Sequence, residues 1–255
     1  MQFETATCTD VGIRKSTNQD SMLVLRAETG IGPVLMAAIC DGMGGLAKGE
    51  VASAAMALSL SKWFAERLPG ILAEGFSEEK LCQEWKTLVE KTSEKISSYG
   101  ADLDINLGTT AGVFLTVGDS YYIMNVGDSR VYLISDSIYQ LTKDQTYVQH
   151  EVDLGHMTEA EALVHPKRSV LLQCIGASRV ITPDFLSGAL KKNQVYMLCC
   201  DGFRHVIQPQ ELYDTFNPKA MRNKKTMQKA VQTLVDLNKS RGEKDNISVI
   251  LIKTS

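Results

Sequence analysis

The chain has no stretch near the roughly 18 consecutive apolar residues that a membrane-spanning helix requires. Its longest apolar run, Val34 to Cys40, has the length of a buried strand. Neither sign of charge predominates: Lys plus Arg number 27 and Asp plus Glu 30 among 255 residues, a net charge of −3. That balance leaves no electrostatic footprint for nucleic acid or an anionic membrane surface. The first residues, Met1-Gln2-Phe3-Glu4-Thr5, lack the basic-then-apolar order of a secretory signal. Proline is scarce, with six scattered residues. No Gly/Ser-rich, Pro-rich or repeated segment divides the chain, so residues 1–255 read as one domain. The six cysteines, at 8, 40, 82, 174, 199 and 200, include no Cys-x-x-Cys pair, which removes zinc-ribbon and thioredoxin readings. Cys40, Cys199 and Cys200 lie in apolar runs, where cysteine acts as a small hydrophobe. Reduced thiols and a cytoplasmic location are the expectation.

What is present is strand signal. Met22–Arg26, Val34–Cys40, Ala111–Val117, Tyr121–Val126, Arg130–Ser135, Tyr139–Leu141, Val195–Cys200 and Ile247–Ile252 are short runs rich in β-formers. The Gly118-Asp119 and Gly127-Asp128 turns suggest an antiparallel meander over 111–135. Helices are expected at Glu50–Leu68, stopped by Pro69-Gly70, and after Ser77, whose side chain can cap a helix with Leu81, Trp85, Leu88 and Ile96 on one face. A capping box at Thr158–Glu161 opens a short helix, and Gln210–Phe216 and Lys225–Asn238 are later ones. Strands and helices do not alternate strictly. The fold class is therefore α+β, with antiparallel sheets flanked by helices rather than a doubly wound parallel sheet.

Acidic residues recur where apolar runs meet glycine-bearing turns. Asp41-Gly42 follows Cys40, Asp201-Gly202 follows Cys200, and Asp128 stands in Gly127-Asp128-Ser129-Arg130. Asp20 opens one strand and Asp245 precedes the last. A single Asp-Gly is an ordinary turn. Several carboxylates converging on one point would repel one another without a cation between them. Oxygen donors with no His/Cys cluster select hard ions, Mg²⁺ or Mn²⁺ rather than Zn²⁺. His150, His156, His165 and His205 are unclustered and suit surface or flap positions. Spacing alone leaves turns and a metal site both open.

The order of the motifs goes further. Thr9-Asp10-Val11-Gly12, Asn18-Gln19-Asp20-Ser21, Asp41-Gly42-Met43-Gly44-Gly45, Gly49-Glu50-Val51-Ala52-Ser53, Gly108-Thr109-Thr110, Gly127-Asp128-Ser129-Arg130, His165-Pro166-Lys167-Arg168, Cys200-Asp201-Gly202 and Asp245-Asn246-Ile247-Ser248-Val249 span nearly the whole chain. In this order they resemble the PP2C-type metal-dependent serine/threonine phosphatases, in their compact bacterial form. The resemblance implies a central antiparallel β-sandwich with helices on both sides and metals at one end. It also implies hydrolysis of phosphoserine and phosphothreonine by direct attack of a metal-bridging hydroxide. By position, Asp41 resembles the bridging carboxylate, Gly42 a carbonyl ligand of the second ion, and Asp201 and Asp245 ligands of the first. Asp128 and Asp201 resemble ligands of a third, weaker ion, which Ser169 on the flap can join. The cofactor implied is Mn²⁺ or Mg²⁺. Asp20 and Gln19 resemble groups that hold metal-bound waters. The partners implied are phosphoprotein substrates and a Ser/Thr protein kinase with its targets; nucleic acid and membrane are not among them, and a monomer is expected.

Two positions depart from the family pattern. The phosphate-gripping arginine is replaced by Lys15, with Arg14 beside it. Lysine offers a point charge where arginine offers a bidentate fork. Met43 stands where animal members carry a histidine proposed as general acid, so the leaving group's proton falls to a metal-bound water or to Asp20. Residues 143–176 resemble the flap beside the active site, or form an exposed insertion. Two rival readings differ in class: a catalytically silent PP2C-like binding module, which typically loses metal-site aspartates, and a metal phosphoesterase acting on small molecules.

Overall fold

The computed structural model describes residues 1–44 and 48–255. All strand pairings are antiparallel, in two sheets. One runs in the order β1 (Phe3–Asp10), β11 (Ile247–Thr254), β10 (Val195–Cys199), β7 (Arg130–Ile134), β8 (Ile138–Gln140). The other runs β2 (Asp20–Thr29), β3 (Gly32–Gly44), β5 (Ala111–Val117), β6 (Ser120–Val126), β9 (Asp184–Ala189), with short β4 (Leu107–Thr109) pairing the end of β3.

Period-two alternation along β3 builds the two cores. Leu35, Ala37 and Ile39 join the cluster between the sheets. Val34, Met36, Ala38 and Cys40 join the cluster beneath the helices. A strand buried on both faces reads as a continuous apolar run, which is the pattern of 34–40. Helices α1 (Gly49–Glu66) and α3 (Glu78–Asp102) cover this sheet through Met56, Leu60, Trp63, Leu81, Trp85 and Val89. Helices α7 (Pro209–Phe216) and α8 (Lys224–Ser240) cover the other through Leu212, Phe216, Met227, Val231 and Val235. The expected α+β sandwich flanked by helices on both sides is therefore the observed one.

Four local expectations change. The strands of 121–126 and 130–134 are not a meander: β6 pairs with β5 and β9, and β7 with β10 and β8. The Gly127-Asp128 turn instead carries the chain from one sheet to the other. Gly127 has φ +98° and a Cβ there would fall 2.6 Å from Thr110 Cγ2, so no side chain fits. Pro69-Gly70 does not terminate helical structure. Pro69 sits in the first turn of α2 (Leu68–Ala73), where the missing N–H costs nothing. Val89 rather than Leu88 completes the buried stripe of α3. β1, β4 and β9 carry too few consecutive apolar residues to stand out in the sequence. Ser77 and the Thr158–Glu161 box cap their helices as expected.

The segment 143–176 carries α4 (Tyr147–Asp153) and α5 (Glu159–Val164). Its apolar residues Leu154, Leu163, Val164 and Leu172 are exposed.

Candidate metal centre

The alternation that fills the core also aims the carboxylates. Met22 and Val24 of β2 pack on the inter-sheet cluster, while Leu23 and Leu25 pack on the other. Asp20 shares its face with Met22, and Asp41 shares its face with Ile39. The two are direct cross-strand partners, so both carboxylates enter the space between the sheets at one end of the sandwich.

Threonines of the Gly108-Thr109-Thr110 motif fix Asp41. Its backbone N–H donates to Thr110 Oγ1 (3.0 Å), and its carbonyl accepts from Thr109 Oγ1 (3.0 Å) and the Thr110 N–H (2.9 Å). Gly42 presses against the backbone of Gly49 and Gln19 where any side chain would clash, and its N–H donates to the Gln19 carbonyl. Gly45, the last residue of that motif, lies outside the described residues. Asn246 ties the first loop to the last strand: its side-chain amide donates to the Val11 and Thr17 carbonyls, and its Oδ1 accepts from the Gln19 N–H.

This clustering is electrostatically costly. Burial, followed by the charges of Asp20, Asp201, Asp128 and Asp245, pushes the Asp41 carboxyl well above its usual range. Burial and the charges of Asp201 and Asp245 raise Asp20 to about 6, against an opposing hydrogen bond from Ser248 Oγ (2.5 Å). Burial and Asp201 raise Asp128 to about 7, with Arg204 opposing. Asp20 Oδ1 is buried and accepts no hydrogen bond from a nitrogen or oxygen donor among the described residues, with the Cys200 thiol the neighbouring group. Such a group of oxygen donors, mutually repelling and incompletely satisfied, fits a hard divalent cation.

Lys15 reaches this cluster. Its ammonium lies 2.9 Å from Asp245 Oδ1. Burial pulls its pKa down, but the Asp245 hydrogen bond and the charges of Asp41 and Asp201 prevail and raise it. Arg14 is exposed and makes no side-chain hydrogen bond or ion pair among the described residues. Ser169 is exposed on the 143–176 segment, and no hydrogen bond joins it to Asp128 or Asp201 among those residues.

Three features of the site escape a linear reading. His205 is not a surface residue: its side chain is 19% exposed and stands between Asp201 Oδ2 (3.3 Å from Nε2) and Glu243 Oε2 (3.5 Å from Nδ1). Burial lowers its pKa, but the Glu243 bond and the Asp201 charge outweigh that and raise it. Its i,i+4 spacing from Asp201 on a helical turn was the available signal. Next to it, Asp144 accepts both prongs of Arg130 (2.7 and 2.8 Å) and Nη2 of Arg204 (3.1 Å). Arg204 also donates to the Asp128 carbonyl (3.1 Å). Finally, Cys200 Sγ and one carboxylate oxygen each from Asp20 and Asp41 lie within 4.8 Å of one another, and burial followed by the charges of Asp20, Asp41 and Asp201 pushes the Cys200 thiol well above its usual range.

Comparison with known proteins identifies the family. The family described as Protein phosphatase 2C matches residues 13–151. The chain belongs to the protein phosphatase 2C family. It is thus a PP2C-type serine/threonine phosphatase. It is 29% identical to protein phosphatase PhpP of Streptococcus pneumoniae over 253 residues, 98% of this chain and 97% of that one. The serine/threonine phosphatase of S. agalactiae superposes with a TM-score of 0.86 at 28% identity, covering 100% of both chains. The catalytic domain of the phosphatase PstP in complex with two manganese ions superposes with a TM-score of 0.78 at 25% identity, covering 98% of this chain and 97% of that one.

Proposed function

We propose that this phosphatase hydrolyses phosphoserine and phosphothreonine in proteins with Mn²⁺ or Mg²⁺ held by Asp41, the Gly42 carbonyl, Asp201 and Asp245, and a third, weaker ion at Asp128 and Asp201 that Ser169 can join. The observation that carries the reading is the set of carboxylates around Asp41, whose own carboxyl is pushed well above its usual range by burial and then by the charges of Asp20, Asp201, Asp128 and Asp245. The silent-module alternative predicts loss of these aspartates; all are present and convergent. When bound, the ions supply an activated water and neutralise charge on the phosphoryl oxygens.

The chain's own groups do the rest. Lys15, already seated on Asp245, presents an ammonium to the phosphoryl group of the substrate. Arg14, exposed one residue away, is the rival for that contact. Asp20, with a carboxyl near the working pH, carries the proton that the leaving alkoxide needs. Met43 cannot supply it. Thr109 and Thr110 hold Asp41 in register through its backbone. Residues 143–176 form a flap that frames substrate entry.

Residues 1–255 act as a single domain, since β1 and β11, near the two ends of the chain, are paired neighbours. The molecule works as a monomer. A Ser/Thr protein kinase supplies its phosphoprotein substrates, because no other reaction class makes them. All six cysteines are free, which suits the reducing cytoplasm; no helix among the described residues is long and apolar enough to cross a membrane.

The test is turnover of a phosphothreonine peptide against sugar phosphates, with and without EDTA. Preference for the peptide that EDTA abolishes and Mn²⁺ restores is the expected result. Preference for sugar phosphates would place the chain among small-molecule phosphoesterases, and full activity after EDTA would end the metal reading.

A further inference from the structure

One helical turn carries both a carboxylate of the centre and a guanidinium directed at another. Helix α6 (Asp201–Arg204) opens on Asp201 and closes on Arg204. Arg204 Nη2 lies 3.6 Å from Asp128 Oδ2, and it donates to the Asp128 carbonyl and to Asp144 Oδ2, both at 3.1 Å. The Arg204 and Asp128 side chains are only 12% and 9% exposed, so solvent screens their attraction little. Charge balance sets this pair apart. Arg130 and Asp144 already neutralise each other through two hydrogen bonds of 2.7 and 2.8 Å, which leaves the positive charge of Arg204 for Asp128. A second observation concerns how firmly each arginine is held. Arg130 engages its neighbours through Nε, Nη1 and Nη2. Among the described residues Arg204 engages through Nη2 alone, and its buried Nε has no partner, an exception among buried donors. The contact at Asp128 is therefore close and desolvated, yet it hangs on a single nitrogen that a competing cation can displace.

We propose that Arg204 is a resident cation at the Asp128 corner, and that a third divalent cation, Mn²⁺ or Mg²⁺, binds there only by displacing its guanidinium. The proposal rests on the reading of Asp128 as an ion ligand. A guanidinium and a metal ion on one carboxylate repel each other, so binding of the ion forfeits the attraction between Arg204 and Asp128. The arginine thus sets how weak the third site is. Arg204 is a positioning residue: it acts through Asp128 and not on the phosphoryl group.

The experiment counts Mn²⁺ bound to the metal-depleted full-length chain, read from the free-ion electron paramagnetic resonance signal. The wild type should bind two ions and then a third at higher concentration. In Arg204→Met the third should fill at a Mn²⁺ concentration lower by at least about tenfold, with the first two changing far less. Asp144 keeps Arg130 in this variant, so the neighbouring network retains a paired carboxylate. Arg204→Lys, which keeps the charge, should return the third midpoint toward the wild-type value. A third midpoint unchanged or raised in Arg204→Met overturns the proposal. Equal tightening in Arg204→Lys and Arg204→Met overturns it too, because charge is then not the cause. A readout on the wild type alone removes any dependence on variant folding: a titration with diamagnetic Mg²⁺, followed by the arginine Nε–H resonances. The Arg204 signal should move as the third ion binds, and that of Arg130 far less. An Arg204 signal that stays in place while the third ion binds overturns the displacement. Two ions and no third, in wild type and Arg204→Met alike, overturn the proposal and leave the centre around Asp41. No ion bound in either removes that centre, and the proposal with it.

Discussion

Two buried charge clusters lie side by side in this protein, and they are built on opposite principles. In the first, Arg130, Asp144, Arg204 and the Tyr132 hydroxyl are joined by hydrogen bonds of 2.7–3.1 Å, with Arg204 Nε the one group left without a partner among the described residues of this network. Two guanidiniums bracket one carboxylate, and Arg204 carries the excess positive charge to Asp128. In the second, Asp20 and Asp41 face each other with Asp201, Asp128 and Asp245 nearby, and the further cationic groups within reach, Lys15 on Asp245 and His205 on Asp201, lie at its edge and fall short of the five carboxylates. A compensated cluster is structure: it stays folded with what the chain supplies. An uncompensated one is a binding site, because burying like charges is stable only with a cation added. The neighbouring clusters share Asp128, so the structural network positions one corner of the functional one.

This contrast breaks most visibly at Asp41. Asp41→Asn should lower Mn²⁺-dependent turnover of a phosphothreonine peptide by several orders of magnitude, yet leave the metal-free thermal midpoint unchanged or higher, since repulsion is relieved. A steady-state assay and a melting curve on the same sample check both halves. A lowered midpoint would mean that Asp41 holds the fold, and the distinction between the clusters would fail there.

Asp144→Ala should do the reverse. It strips Arg130 and Arg204 of their shared buried carboxylate, a loss of about 3–5 kcal/mol measured by urea denaturation. Activity at low temperature should fall far less than in Asp41→Asn. A stability change under about 1 kcal/mol would place this network with ordinary surface pairs.

The pH dependence sharpens the comparison further. Asp20 and Asp128, raised to about 6 and about 7 from an ordinary 3.8, keep protons in the folded chain that they release when unfolded. Between about pH 4 and 7 the folded state therefore binds more protons, and stability falls as pH rises. His205 acts in the same direction at the top of this window: its raised pKa stabilises the fold below its unfolded value, and that stabilisation is lost as pH rises through the folded value. Glu243, held near 2, stabilises the fold above its unfolded value and loses this only on acidification toward 2. Urea midpoints of the metal-free protein should decrease from pH 4.5 to 7.5, and saturating Mn²⁺ should flatten or reverse the trend. A metal-free profile that rises across this range would contradict the uncompensated cluster.

The smallest effect is expected at Lys15. Lys15→Ala should raise KM by an amount corresponding to about 1–3 kcal/mol, the loss of a charge-assisted hydrogen bond, with kcat little changed. Lys15→Arg should keep or improve affinity. Arg14 is exposed and makes no ion pair among the described residues, so Arg14→Ala should leave KM near the wild-type value. The opposite pattern would transfer phosphate binding to Arg14.

The sequence by itself determined a great deal. The apolar runs at 34–40, 111–117, 195–200 and 247–252 fixed the central strands, because burial on both faces leaves a continuous hydrophobic signature. Motif order gave the family, the α+β sandwich and the aspartates of the centre, because strand-edge Asp-Gly steps are local and survive in linear form. Tertiary structure alone decided which sheet each strand entered. β6 and β7 look like neighbours across Gly127-Asp128 but separate, since a turn sequence specifies a reversal and not a partner. It also decided which side chains meet. Asp144 and Arg204 are 60 residues apart, Cys200 and Ser248 are 48 apart, and Asp20 and Ser248 are 228 apart. Period-two patterning tells which face a residue takes within its own strand. It carries no record of what arrives from across the sandwich, and for that reason His205, the arginine network and the sulfur beside Asp41 became legible only when the two sheets closed on each other.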